Sequence, residues 1–304
     1  MKGIKLIHFG TEQRVFEVGG VRIGGQPGEL PTVLVGSIFH EGHRIVKDRR
    51  LGVFDRRRAE RLINIQDEMS EKTGNPCMLD VVGETIEALI KYVDFVSEVT
   101  SAPILINGPN VDVRVAASRY AIEVGLQDRI IYNSINYTLS CGEIKSIREI
   151  GLKTAIIQGF NPRDPRPRGM VSILRRLLEG AGEAGVEKPL LLTPVLDVPS
   201  IGFGARGVSL VKEEFGIPTG TVPVGVIGRW RRAVELGEDA KRIFRAGAVA
   251  LAQAMGADFI IYGSVAKARS IFPVCAMIDA IIAYTARDFG IKPITRRHPL
   301  YTIL

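Results

Sequence analysis

Cysteine is scarce. Three thiols in 304 residues, Cys77, Cys141 and Cys275, are odd in number and far apart. Neither a disulfide framework nor a thiolate metal site is expected, and all three read as small buried hydrophobes. Aromatic residues make up only 7% and there is a single tryptophan. No stacking platform or nucleic-acid motif accompanies the basic residues, so no nucleic-acid partner is expected. Long apolar runs are missing as well. The longest, FPVCAMIDAIIAYTA, is interrupted by Asp279, so direct membrane insertion is not expected. The opening MKGIKLIHFG has no apolar core of leader length, which makes a cytoplasmic location the expectation.

What is present is a core-forming globular composition, 46% hydrophobic and 24% charged, with a net charge of +7. Arginine clusters at 49–58, 162–169 and 229–232 carry much of that charge. Such clusters suit an anionic ligand tail or an acidic partner, and equally a solvated surface.

Residues 13–17 and 21–25 flank Gly19-Gly20 as a hairpin. Beyond them, apolar strand-like runs alternate with helical stripes. PTVLVGSIF, CMLDVV, PILIN, RIIYN, TAIIQGF, PLLLTPVL, TVPVGV and DFIIYG are the strand candidates. Asp55 opens the first helix, Ser140 and Glu143 form a capping box, and Pro273 marks the start of the last helix. Further helices are expected near 205–215 and from Asp239 to Met255. Eight strand–helix units predict a single (β/α)8 TIM barrel over residues 1–304. The hairpin (13–25) would cap its N-terminal mouth, the barrel would span about 31–290, and 291–304 would form a tail. An open doubly wound sheet is disfavoured because no G-x-G-x-x-G follows the first strand.

In such barrels the chemistry lies at the C-terminal strand ends. There the sequence offers Ser37, His40 and His43; Asp80 and Glu84; Asn107 and Asn110; Asn133 and Ser134; Gln158; Thr193 and Asp197; Gly225; Gly263 and Ser264. Neutral amides dominate. No lysine stands at a strand end, Lys153 being at the start of strand five, so Schiff-base chemistry is disfavoured. HEGH (40–43) lacks a third metal ligand, and no metal site is expected. Amides with one or two carboxylates suit a flat heterocycle of alternating donors and acceptors. The glycines after strands seven and eight also permit a phosphate-ligand barrel enzyme.

The segments FEVGGVRIGGQPGELPTVLVGSIFHEGHRIV, TGNP with LDVVGET, RIIYNSI and YGSVAKARSIFPVCAMIDAIIA resemble the H subunit of tetrahydromethanopterin S-methyltransferase and its soluble relatives, over about residues 13–286. The resemblance implies a pterin-binding barrel. It would move a methyl group between N5 of a reduced pterin, tetrahydromethanopterin or tetrahydrofolate, and the cobalt of a corrinoid carried by a partner protein. No D-x-H-x-x-G signature for holding a corrinoid occurs in this chain. A homodimer, and peripheral association with a membrane complex, are also compatible with the family.

Carried over position by position, Asp80 matches a D-x-N strand, Asn107 stands where a DST strand has aspartate, and Asn133-Ser134 matches an INST strand. Asn107, Asn133 and Gln158 are the candidate catalytic residues. Asp80, Glu84, Asn110, Ser134, Thr193, Asp197, Gly225, Gly263 and Ser264 are the candidate substrate contacts. Thr193 and Gly225 depart from the family pattern, which has a carboxylate on strand six and an asparagine on strand seven. A catalytically degenerate scaffolding subunit is the alternative those departures suggest.

Overall fold

The computed structural model describes residues 8–304. The first seven residues of the stretch read for a leader lie outside the described residues. The chain opens with an antiparallel hairpin, β1 (Val15–Val18) and β2 (Val21–Gly24). Its two-residue loop is Gly19-Gly20, with φ of 51° and 78°, the left-handed pair that matches the twist of hairpin strands and that glycine adopts without strain.

The alternation then begins with β3 (Val33–Ile38). A small excursion, β4 (Val46–Asp48) and β5 (Val53–Phe54), precedes α1 (Arg56–Thr73). The units β6 (Cys77–Val82) with α2 (Ile86–Val99), β7 (Ile104–Asn107) with α3 (Val111–Glu123), and β8 (Ile130–Ile135) with α4 (Cys141–Ile150) follow. Next come β9 (Thr154–Gln158) with α5 (Pro167–Glu183), and β10 (Lys188–Thr193) with α6 (Ile201–Phe215). Last are β11 (Thr219–Thr221) with α7 (Gly225–Arg229) and α8 (Arg231–Ala254), then β12 (Phe259–Ser264) with α9 (Ala268–Ala286) and the short α10 (Pro299–Thr302). Eight of these strands, β3 and β6 to β12, close into one parallel barrel, the (β/α)8 TIM fold. No helix among the described residues is long and apolar enough to cross a membrane.

The barrel interior follows from the period of two along a strand. Val33 and Val35, Met78, Leu105, Ile131, Ile156, Leu190 and Leu192, and Phe259 and Ile261 form one buried cluster. Val18 and Ile23 of the hairpin belong to that cluster, so the hairpin plugs the N-terminal mouth. Two residues beyond five of these apolar positions stand Ser37, Asp80, Asn107, Asn133 and Gln158. The same alternation that packs the core therefore aims them inward, one layer higher.

Helix ends are set locally. Asp55 accepts from Arg58 N–H at 3.0 Å and Gly74 closes α1 in the left-handed region. Several expectations need correction. TVPVGV is not a strand: β11 stops at Thr221, ahead of the donor-less Pro223, and Gly225 starts a short helix. The long helix expected from about Asp239 to Met255 is present: α8 breaks at Gly237 (φ 88°), and the part after the break runs to Ala254. The helix expected near 205 begins at Ile201, and α9 begins at Ala268, so Pro273 lies inside it rather than at its start. The capping box is half made: Ser140 accepts from Glu143 N–H at 3.2 Å, but the Glu143 carboxylate is engaged elsewhere. Of the thiols, Cys77 and Cys275 are buried and Cys141 is exposed.

Candidate functional site

A buried carboxylate organises the C-terminal rim. Asp80 accepts at Oδ2 from the Ser37 hydroxyl (2.7 Å) and at Oδ1 from Nδ2 of Asn107 (2.9 Å) and of Asn133 (3.0 Å). Neighbouring strands hold these four side chains at matched heights: Ser37 is in register with Asp80, and Asn107 with Asn133. Burial pushes the Asp80 carboxyl above its usual range, and the bonds from Ser37, Asn107 and Asn133, with His40 nearby, pull it back. Three donors on two oxygens suit the ionised form. An ionised carboxylate only accepts, so it fixes the amides with their NH2 groups turned to it. Oδ1 of Asn107 and Oδ1 of Asn133 are then left as acceptors, and no donor among the described residues takes either.

β8 loses register with β9 between Asn133 and Ile135, so Ser134 is the extra, unpaired residue. The apolar run can therefore end by turning an amide inward while Ser134 stands off the ladder. Gln158, half-buried, continues the polar row on β9. Ser264 is in register with Ser37 and extends it the other way.

Outside the barrel wall a second cluster pins this row. Glu143 accepts from the Tyr132 hydroxyl (2.7 Å) and pairs with Arg114 (3.2 Å), whose other nitrogen donates to Gly108 O (3.0 Å). Both ion-pair side chains are buried. Tyr132 precedes Asn133 and Gly108 follows Asn107, so the pair fixes the backbone on both sides of the two amides. Burial, then Glu143, pushes the Tyr132 phenol up. Sequence reading missed this clamp because Glu143 looked like half of a capping box.

A cavity of about 230 Å³ adjoins the row, lined by Phe39, Arg49, Val82, Gly83, Glu84, Tyr92, Asn107, Gly108 and Pro109. Phe39 carries a positive φ of 62° and stacks on Tyr92 with ring centroids 4.1 Å apart. The Tyr92 hydroxyl is buried without a partner. Glu84 lies on this rim, paired with Arg49 at 3.3 Å. A larger cleft of about 690 Å³ lies under the opposite end of the barrel, between the hairpin, the end of α1 and the C-terminal tail. It has none of the rim residues, so its size does not make it the site.

Several expected contacts are elsewhere. Thr193 points outward and is fully buried, donating to Gly204 O (2.9 Å) with Gly220 O at 3.2 Å, because it follows the inward Leu192. Asp197 is exposed and spends its carboxylate on Ser200 N–H (2.9 Å) ahead of α6; that bond holds its carboxyl below the usual range. Asn110 caps α3 by accepting from Val113 N–H at 3.0 Å. Gly225 opens α7, with open space around it. Gly263 (φ 75°) and Ser264 remain at the rim, half-buried. His40 and His43 stack 4.7 Å apart, and His43 Nδ1 accepts from Phe39 N–H at 3.1 Å. Burial, then His40, lowers His43 to about 4. The basic stretches are partly neutralised: Arg49 by Glu41 and Glu84, Arg56 by Glu98, Arg58 by Asp55, Arg166 by Asp164, and Arg231 and Arg232 by Glu235. The expectation that no lysine stands at a strand end also fails in space, because Lys267 folds back against Gly263 through a single 3-10 turn.

Known proteins share this architecture. A Xanthomonas albilineans dihydropteroate synthase superposes with a TM-score of 0.60 at 15% identity, covering 90% of this chain and 98% of that one. A Yersinia pestis DHPS with a pterine-sulfa conjugate gives 0.61 at 12% identity, covering 88% and 99%. At such identities the likeness is one of fold. The sequence relatives are nearer. The H subunit of tetrahydromethanopterin S-methyltransferase from Methanothermobacter thermautotrophicus is 39% identical over 98% of this chain and all of that protein. The H subunit of the putative methyltransferase mtx from Methanosarcina acetivorans is 38% identical over 97% of this chain and 99% of its own length. The family model for the tetrahydromethanopterin S-methyltransferase MtrH subunit matches residues 11–294. The chain therefore belongs to the MtrH methyltransferase family.

Proposed function

We propose that this methyltransferase moves a methyl group between N5 of a reduced pterin, tetrahydromethanopterin or tetrahydrofolate, and the cobalt of a corrinoid carried by a partner protein. One observation carries the reading: Asp80 takes the NH2 groups of two rim amides and leaves both amide oxygens without a donor among the described residues. A methylated N5 is a tertiary amine and a poor leaving group. Protonated, it becomes a cationic N–H donor, and its departure leaves a neutral amine. Oδ1 of Asn107 or Asn133, directly or through a water, would accept that N–H. The Asp80 charge behind them favours the cation without touching it. Gln158 on the next strand completes the acceptor row. General-acid assistance of this type contributes typically ~10²–10⁴-fold. A fixed cation against N5 would oppose the step, in keeping with the neutral amides of Asn107, Asn133 and Gln158 in this row.

The corrinoid would supply the cobalt centre that exchanges the methyl group, and this chain's part is to hold the pterin and manage the proton at N5. The partner would dock at the open mouth, with the exposed Arg163, Arg166 and Arg168 beside it. A homodimer belongs to the same proposal and is read by sedimentation.

The test is methyl transfer from a methyl-tetrahydropterin to cob(I)alamin or its carrier protein, followed through the cobalt absorption bands. Asn133→Ala should lower kcat roughly 10²-fold, with a much smaller change in pterin affinity. Unaltered turnover with unaltered binding removes Asn133 from the chemistry. Failure of the wild type to transfer methyl from either pterin overturns the reading.

A further inference from the structure

The cleft under the N-terminal end of the barrel leaves charge of both signs unspent. Its volume of about 690 Å³ is that of a small-molecule site. Arg22 from the hairpin and Arg296 and Arg297 from the tail line it, and so do Asp67 and Glu71, one turn apart on α1. None of the five pairs with an opposite charge among the described residues; Arg22 donates to Ile294 O, at 3.4 Å. Elsewhere opposite charges close on each other, Lys72 with Glu68 on α1 and Lys153 with Glu187. Asp67 is half-buried and accepts from the Cys77 thiol at 3.4 Å. Burial pushes its carboxyl above the ordinary range, and the bonds from Thr100 and Cys77 pull it back. A further cation stands behind the lining. Arg129 donates to Thr100 O (2.6 Å) and Ala102 O (3.0 Å), and its buried Nε has no acceptor. The walls are fixed. A side chain on Gly74 would meet Arg297 O at 2.2 Å, so glycine lets the tail close on the end of α1. His298, next in the tail, is fully buried and caps α10 by accepting from Leu300 N–H at 3.1 Å.

We infer that this cleft binds a guanine nucleotide, with its phosphates on Arg22, Arg296 and Arg297 and the N–H edge of its base on Asp67. The guanidinium fork matches phosphate oxygens two at a time. An ionised carboxylate accepts two adjacent N–H groups, which the guanine edge offers. Charges of both signs that share a cleft without meeting leave room for a ligand that answers both. The site lies at the end of the barrel away from the βα loops, and it does not depend on the proposed pterin reading.

Calorimetric titration of the full chain with GTP, and separately with pyrophosphate, tests the site without any methyl transfer. GTP should bind, and pyrophosphate should bind more weakly. Arg297→Gln should weaken both roughly tenfold or more. Asp67→Asn should weaken GTP by about tenfold and leave pyrophosphate unchanged. Neither side chain makes an ion pair, so both variants should melt as wild type does without ligand, and saturating GTP should raise the melting temperature of wild type by more than that of either variant. If GTP does not bind, or if the variants bind it as wild type does, the site is overturned. GTP binding that is lost in Asp80→Ala but kept in Arg297→Gln would put the nucleotide at the C-terminal rim and overturn it as well. An equal loss of GTP and pyrophosphate in Asp67→Asn overturns the placing of the base.

Discussion

Asp80 and Asp279 are both buried carboxylates gripped by hydroxyl and amide groups, one at each end of the barrel. At the N-terminal end, Asp279 on α9 accepts from Thr32 N–H (2.8 Å), Thr32 Oγ1 (2.7 Å), Asn75 Nδ2 (2.6 Å) and Gln253 Nε2 (2.8 Å). All four residues are buried, and Asn75 Oδ1 and Gln253 Oε1 end in protein without partners. At the C-terminal end, Asp80 has nearly the same set of donors, but its two amides are half-buried and their oxygens have no donor among the described residues. The chemistry is alike; what differs is whether the far side of each amide meets protein or open space. The closed network ties β3, the turn before β6, α8 and α9 together. The open one leaves two acceptors unspent, as the proposed pterin site requires. Amide-rich clusters mark a site only when one face is left free.

The sharpest way to break this comparison is to remove each carboxylate in turn. Asp80→Ala should lower kcat/KM for methyl transfer about 10³-fold, roughly 4 kcal/mol of transition-state stabilisation, because both amides lose the group that orients them. The melting temperature should move little, since water can reach the freed amides. Turnover near wild type would show that the upper network is structural like the lower one.

Asp279→Ala should do the reverse. It strands buried donors on three elements and should cost about 3 kcal/mol of stability, read by denaturant titration. The fraction that stays folded should transfer methyl groups at near the wild-type rate. A large loss of turnover without loss of stability would erase the distinction between the two ends.

The sequence carries the upper network openly and hides the lower one, for a physical reason. Asp80, Asn107, Asn133 and Gln158 each follow an apolar strand whose period of two sets their direction, so their convergence can be read from a single chain. Asn75 stands in a turn, Gln253 on a helix and Asp279 inside an apolar stretch, and only the tertiary fold brings them together. The misplacements have the same origin. Thr193 looks like a strand-end ligand until the period is counted from Leu190 and Leu192, which turns it outward. Asp197 and Asn110 are ordinary turn and cap residues, whose local bonds the sequence cannot separate from ligand contacts. β11 has only three residues, too few to show a period, and with it went the placing of Gly225. Lys267 was missed because its approach to Gly263 depends on the 3-10 turn after β12 rather than on spacing along the strand.

The smallest effect is one of pH, and it sharpens the contrast at the closed end. Burial raises Asp279 to about 6, against an ordinary value of 3.8. The folded protein therefore binds the extra proton between those values. The stabilisation it brings is fully present below 3.8 and is lost as pH rises through about 6. From pH 7 to pH 5 the wild type should gain about 1 kcal/mol relative to Asp279→Asn, which cannot titrate, or about 2 °C in melting temperature. His43 and His298, both lowered to about 4 by burial, act in the opposite sense: their contribution falls as pH drops from 6.5 toward 4. The wild-type melting temperature alone can therefore hide the Asp279 signal. Both histidines are present in both proteins, so their effect cancels in the difference. A wild-type-minus-variant difference that is flat from pH 7 to pH 5 would mean that four donors hold Asp279 ionised throughout. The two networks would then share their electrostatics and differ only in access.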